Sequence, residues 1–467
     1  MDFSKQFRLF ALLFSTAIFF GPTPANSAEE TKPTWKAGAA SVVITPDGPM
    51  WMAGYASRTK PSEGKIHDLF AKALVVEDEQ GTQLVMITSD LISVPRPLRD
   101  WLEGEVKKRY NIPPSGLLMN CSHTHCGPEL RTSESSLDGM DAERSKQAQA
   151  YVAVLQGKLL DVISRAMKSL APANISYTHA RAGFAMNRRI YIDGGFRNHP
   201  NPDGRVDHAV PVLKVTDAKG KLRAVMFGYA CHNTTLGIQK MCGDYAGFAQ
   251  EYLEAQLPGT VALFMEGCGG DQNPYPRSKL ELAKQHGRSL ANGVLAALDT
   301  RAKPVTGKLK HAYDYANLEY MTPPTKKALL KQAQSSDKYD KRHAQRLLKQ
   351  LEEKGKIRDS YQAPIQVIQF GNTTTLIALP GETVIDYSFR LKRELNGENK
   401  PAVWVAGYSN DVFAYIPSLR VLQEGGYEAG GAMRYMTTAV QPGPFTATVE
   451  ERIISKVHEL NRKLNKK

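Results

Sequence analysis

Apolar residues recur along this chain with two periods, and the two alternate. Strand-type runs come first at Val42 to Ile44, then at Ala71 to Glu77 and Gln83 to Thr88 around a Gln80-Gly81 turn, a hairpin pattern. Helical spacing follows over Arg96 to Tyr110, through Leu98, Trp101, Leu102 and Val106. A short run at Leu117 to Asn120 precedes a long amphipathic helix over Gln147 to Leu170. A second hairpin is expected from Val210 to Thr216 and Leu222 to Tyr229, turning at Lys219-Gly220. Helices over Ala246 to Leu257 and Lys279 to Leu298 flank a buried strand at Val261 to Met265. Strands resume at Ile365 to Phe370, Thr374 to Leu379 and Val403 to Ala406, with helices over Val384 to Leu395 and Val449 to Leu464.

This alternation predicts an α/β fold: mixed sheets flanked by helices in a single large catalytic domain. Residues 301–362 depart from it. Lys326 to Lys356 is rich in Lys and Arg with helical spacing through Leu329, Leu330, Leu347, Leu348 and Leu351, so 301–362 reads as a basic helical insertion. No internal repeat interrupts the pattern.

Composition narrows the class. Hydrophobic residues at 42% and charged residues at 23% are those of an ordinary globular chain, which excludes collagen, wholesale disorder and a polytopic membrane protein. Lys5 and Arg8, the apolar run Leu9 to Phe20 and the small residues Ala25, Ser27 and Ala28 have the layout of a cleaved secretory signal over 1–28. That leaves 29–467 as the domain and predicts a secreted or periplasmic protein. The remaining charge is +12, which suits peripheral contact with an anionic membrane surface, and no nucleic-acid motif accompanies it. The five Cys include no CxxC pair, so they are not a disulfide framework.

Four polar clusters each follow a strand candidate, where open α/β sheets bind ligands. The first is Asn120 to Pro128, with His123 and His125 at i and i+2; on extended backbone both imidazoles would face one cavity. The second holds His232, followed by Gly243-Asp244, where Asp244 reads as a helix cap. The third, Glu266 to Pro274, is glycine-rich and would let backbone approach a ligand closely. The fourth places Glu382 at a strand-to-helix junction, as a metal ligand or as a partner of the helix dipole. Two His and a carboxylate form a catalytic zinc set, suited to hydrolysis of an amide or ester. Neither HExxH nor GxSxG is present, which disfavours a helical zinc protease and a serine α/β-hydrolase.

These residues, with Ala37-Gly38, Val43 to Pro46, Met52 to Tyr55, Ile66-His67-Asp68, Ser89-Asp90-Leu91, Met186-Asn187-Arg188, Gly270-Asp271, Pro380-Gly381-Glu382 and Ser409 to Ala429, resemble the catalytic domain of the neutral/alkaline non-lysosomal ceramidase family. The resemblance implies a zinc-dependent amidase of N-acyl lipids. It implies His123, His232, Glu382 and Tyr415 as ligands of Zn2+, His125 at the reacting amide, Arg188 in the active site, and Tyr427 at the developing oxyanion. The chain departs from the family pattern in carrying Asn273 where the family's loop has Ser, and Cys126 beside the His pair. Asn273 can donate a hydrogen bond but cannot act as a hydroxyl nucleophile. The chain closes near the end of the catalytic domain, so no C-terminal immunoglobulin-like domain is expected. Two other readings accompany the leading one. Cys126 beside His125 would serve a thiol-dependent hydrolase or esterase. A metal-containing fold without turnover would serve as a binding or scaffolding protein, with the basic hairpin as its partner surface.

Overall fold

The strand Phe70–Asp78 explains the architecture, because both of its faces are apolar. Ala71, Ala73 and Val75 point into a core shared with the helices Arg96–Tyr110 and Ala142–Lys168. Leu74 and Val76 point the other way, into a core shared with Ile368, Phe370, Leu376, Ala378 and Trp404 of a second sheet. The same division recurs in the strand Leu222–Tyr229. Val225 and Phe227 meet the helices Asp244–Gln256 and Leu280–Leu298, whereas Ala224 and Met226 meet the second sheet. The second sheet in turn buries Ile365, Val367, Val403 and Val405 under the terminal helix Val449–Asn465. Two sheets are therefore stacked between two helical layers. This computed structural model describes residues 34–132, 140–398, 400–436 and 439–466, and Pro33–Lys467 is one compact unit.

Among the described residues the larger sheet has nine strands. Its main path runs Val261–Glu266, Leu222–Tyr229, Ala209–Asp217, Ala171–Arg181, Trp35–Val43, Phe70–Asp78, Gln83–Ser89, Leu117–Cys121. The edge pairs are parallel: Leu117–Cys121 on Gln83–Ser89, and Val261–Glu266 on Leu222–Tyr229. Both therefore deliver their carboxyl ends to loops. The sheet curls until these edge strands meet. The Asn120 side chain joins them, its Oδ1 accepting from the Glu266 N–H (2.8 Å) and its Nδ2 donating to the Glu266 carbonyl (3.2 Å). The second sheet is Leu309–Glu319, Ser360–Phe370, Thr374–Ala378 and Ala402–Ala406.

The expected fold class is the observed one. The helical reading of 301–362 holds only for its later half, where Lys326–Gln332 and Lys338–Lys354 form the basic hairpin. Leu309–Glu319 is instead an 11-residue edge strand, burying Leu309, Ala312, Ala316 and Leu318. Its polar, tyrosine-rich outer face hides the alternation. No helix among the described residues is long and apolar enough to cross a membrane, and the leader at 1–28 lies outside those residues.

Candidate metal centre and active site

Three loops and a short parallel ribbon converge above the carboxyl ends of the edge strands. The two histidines of the first cluster are not placed by strand alternation. His123 takes a left-handed conformation (φ 59°), an uncommon state for a non-glycine residue that its surroundings must enforce. The turn brings the His123 and His125 Nε2 atoms to 3.1 Å. His232 follows the strand Leu222–Tyr229 and faces them. The ligand nitrogens of His123, His125 and His232 all lie within 4.8 Å of one another. Glu382 and Tyr415 are paired residues in the parallel ribbon of Glu382–Thr383 with Tyr415–Ile416, so both side chains leave the backbone at the same level. Glu382 Oε2 lies 3.2 Å from His123 Nε2 and 3.0 Å from His232 Nε2, and the Tyr415 hydroxyl lies 3.2 Å from His232 Nε2.

The protons on these rings follow from their partners. A carbonyl oxygen only accepts, so the His123 Nδ1–H donates to Ile92 O (2.7 Å) and the His232 Nδ1–H donates to Gly269 O (2.6 Å). When neutral, both rings thus present an Nε2 lone pair to the centre, beside a carboxylate. Tyr415 brings one hydroxyl proton, and His125 one ring proton. Acceptors outnumber protons here, a deficit that a bound cation removes. Nδ1 anchored on a carbonyl is also how metal-binding histidines are commonly oriented. Electrostatics agree with a neutral-imidazole, ionised-carboxylate set. Burial, with Arg188 and His123 nearby, pushes His232 down to about 3. Burial and the two neighbouring imidazoles hold His125 well below the usual histidine range. Burial alone would raise Glu382, but His123 and His232 overcome it and hold the carboxyl well below the ordinary carboxylate range.

Arg188 lies on the strand Ala185–Ile192 of a small third sheet and is fully used. Nε donates to Glu428 (2.9 Å), one terminal nitrogen to Asn273 Oδ1 (3.2 Å), and the other to the Tyr415 hydroxyl (3.0 Å). Asn273 Oδ1 also accepts from Thr234 (3.2 Å), so its carbonyl end is fixed. Tyr427 lies edge-on to Tyr415 at 5.3 Å and is 37% exposed, at the mouth of the site. His123, His125, Arg188, His232, Asn273, Glu382, Tyr415 and Tyr427 are thus drawn together.

Some sequence readings change. The glycines of Glu266 to Pro274 serve backbone packing within the fold: a Cβ on Gly270 would stand 2.4 Å from the Glu382 carbonyl. Asp244 is the first residue of its helix rather than its cap. Its carboxylate takes the N–H of Tyr245 and, from the preceding loop, that of Leu236 (2.8 Å). Cys126 is turned away from the centre, its Sγ near the carbonyls of Leu236 and Ile238, and burial pushes the thiol up to about 12. No thiolate is then available to act as a nucleophile. The five Cys are free.

Other residues that support the centre show no chemistry of their own in the sequence, although Gly54 and Tyr55 lie in a segment that carries the family resemblance. Asn233 Nδ2 donates to Ser122 O and to Glu266 Oε2 (3.2 Å), and Glu266 Oε1 accepts from the Cys231 N–H (3.0 Å). One amide and one carboxyl therefore tie the two histidine loops together. The Tyr408 ring packs on His123 at 4.6 Å. Gly54, at φ 102°, lies under His125, and the Tyr55 ring meets that imidazole edge-on at 5.0 Å.

The pattern of the family described as "Neutral/alkaline non-lysosomal ceramidase, N-terminal" matches residues 36–275. Among solved structures, neutral ceramidase from Pseudomonas aeruginosa superposes with a TM-score of 0.70 at 18% identity, covering 93% of this chain and 75% of its own. A ceramidase complexed with C2 gives 0.68 at 17% identity, covering 92% and 76%. No curated protein matches. The protein is thus a hydrolase of the class acting on carbon–nitrogen bonds. More narrowly, the chain belongs to the neutral/alkaline non-lysosomal ceramidase family.

Two predictions arise from this geometry. A Cβ on Gly54 would lie 2.7 Å from His125 Cβ and Cγ. Gly54→Ala is therefore expected to displace His125 and lower turnover roughly tenfold or more, while metal content by elemental analysis stays near that of the parent. Loss of metal instead would mean that Gly54 supports a different residue. The second concerns Asp271, which burial raises from 3.8 to about 6. The folded chain retains this proton longer than the unfolded one. The contribution to stability is whole below the unfolded value and is lost as pH rises through about 6, up to ~3 kcal/mol. Urea unfolding between about pH 4 and 7 should show this slope in the parent and a flatter one in Asp271→Asn.

Proposed function

We propose that this chain is an exported zinc-dependent amidohydrolase that cleaves the amide bond of N-acyl lipids. One observation carries the reading. Two imidazoles with their Nδ1 protons committed to Ile92 and Gly269 turn their lone pairs onto Glu382. His123, His232, Glu382 and Tyr415 would hold the zinc. Membership of the ceramidase family supports the lipid amide as substrate, and the leader pattern supports secretion or export to a periplasm.

When bound, zinc supplies Lewis-acid polarisation of the carbonyl and activation of water. The chain's own residues do the rest. His125 is kept neutral by burial and by its neighbours, so its ring can take a proton from water and return it to the departing amine. Arg188 orients the Tyr415 hydroxyl and fixes Asn273 by its carbonyl end, leaving the Asn273 –NH2 as a donor toward developing negative charge. Burial and Glu382 raise the Tyr427 phenol, so it keeps its proton and donates at the mouth.

The test is hydrolysis of ceramide and a panel of N-acyl amides by the metal-loaded chain, before and after chelation. Activity that survives complete zinc removal overturns the reading. Full zinc content with no turnover on any amide or ester would leave a binding protein instead.

A further inference from the structure

Residues 326–358 carry eleven Lys and Arg against four Asp and Glu, an excess of seven in a chain whose net charge is +13. The helices Lys326–Gln332 and Lys338–Lys354 turn Leu329, Ala333, Ala344 and Leu347 inward to form a small core of their own. Their outer side exposes Lys326, Lys327, Lys331, Lys338 and Lys341. Leu330 in the same helix is 51% exposed, and Met321 just before it is 54% exposed. Solvation alone explains lysines but not large apolar side chains among them. That mixture is the composition of an interfacial surface, where apolar groups enter the headgroup layer and lysine stems lie along it.

The position of this hairpin gives the surface a purpose. Tyr339 packs edge-on against Tyr435 at 4.8 Å, Tyr435 lies 6.2 Å from Tyr427, and Tyr427 lies 5.3 Å from Tyr415. A row of tyrosines thus runs from the hairpin to the metal centre. The Tyr339 hydroxyl also donates to the Ala56 carbonyl, in the loop that carries Gly54 and Tyr55 under His125. Arg346 donates to the carbonyls of Arg434 and Met436, and the His343 ring bonds the Gln441 carbonyl, which fixes the hairpin to the segment bearing Tyr435.

We propose that the lysine face of this hairpin docks on an anionic lipid bilayer and sets the tyrosine row over the membrane surface. Its purpose rests on the N-acyl lipid reading above, but its test requires no turnover. Co-sedimentation is measured with vesicles of phosphatidylglycerol and phosphatidylcholine, and with phosphatidylcholine alone. The full chain is expected on the anionic vesicles only, with binding that weakens as salt rises. Lys326→Glu/Lys327→Glu/Lys331→Glu should weaken it roughly tenfold or more, and Leu330→Asp should weaken it independently. Both variants should keep parental hydrolysis of a water-soluble short-chain N-acyl amide. Equal binding to phosphatidylcholine, parental affinity in the triple variant, or equally tight binding to duplex DNA would overturn the proposal. A chain that sediments normally but hydrolyses no amide would sink the enzymatic reading alone.

Discussion

His232→Ala is expected to release the metal and to lower kcat/KM toward an N-acyl amide by roughly a thousandfold or more. His232 is fully buried and contributes nothing to the surface. Its ring is held from both sides: the Nδ1–H on Gly269 O, and Nε2 between Glu382 and the Tyr415 hydroxyl. Its removal leaves Glu382 with one imidazole rather than two and opens a gap on the wall opposite His123. His125→Ala gives the contrast. In the proposed arrangement His125 moves a proton and does not hold the metal, so this variant should retain about one metal per chain while turnover falls by roughly a hundredfold or more. Elemental analysis and kinetics on the same preparations separate the two roles. If His125→Ala loses metal as completely as His232→Ala, His125 belongs to the ligand set. If His232→Ala retains it, the centre does not lie between these loops.

The regular elements are legible in the sequence where burial is periodic. Arg96–Tyr110 and Leu222–Tyr229 have the bounds that spacing alone suggests. Legibility fails where a strand buries small or charged residues. Ala171–Arg181 starts on Ala-Pro and hides only Ala173, Ile175, Tyr177 and Thr178. In Ala185–Ile192 the buried side chains include Arg188 and Arg189, paired with Glu428 and Glu424. Such a strand has no apolar pattern, because ion pairs with a distant segment replace the apolar face. The site divides in the same way. His123, His232 and Glu382 each stand at a strand end, where chemistry is expected from residue type and position. Tyr415 is indicated only by family resemblance, since a tyrosine beside a strand is ordinarily core. Asn120, Asn233 and Glu266 lie in or beside the polar clusters but give no sign of their own roles, because those roles exist only once segments more than a hundred residues apart have met.

The deepest of these hidden residues should have the largest effect on folding. Asn120 is fully buried, and its amide makes three hydrogen bonds and one further close approach. Oδ1 accepts from the Glu266 N–H, and Nδ2 donates to the carbonyls of Glu266 and Gly407 (2.8 Å) and approaches Ser409 Oγ (3.1 Å). It thereby substitutes for a missing rung of backbone ladder between the two edge strands of the large sheet and also reaches the second sheet's loop. Asn120→Ala would leave the Glu266 N–H without this partner, at about 1–3 kcal/mol, and the Glu266 and Gly407 carbonyls each short of one donor at a smaller cost, Gly407 O keeping the Ser409 hydroxyl (2.7 Å). A total of up to about 4 kcal/mol is expected, together with slack between the loops of His123 and His232. Asn120→Asp has the same shape but loses the donor, bringing a carboxylate oxygen against two carbonyl oxygens, and should be no better tolerated. Asn198→Ala, on the exposed strand Gly195–Asn201, should change stability by less than about 0.5 kcal/mol. Urea unfolding of metal-free protein separates these cases without reference to catalysis. Parental stability in Asn120→Ala would mean that the edge strands are held by something other than this amide.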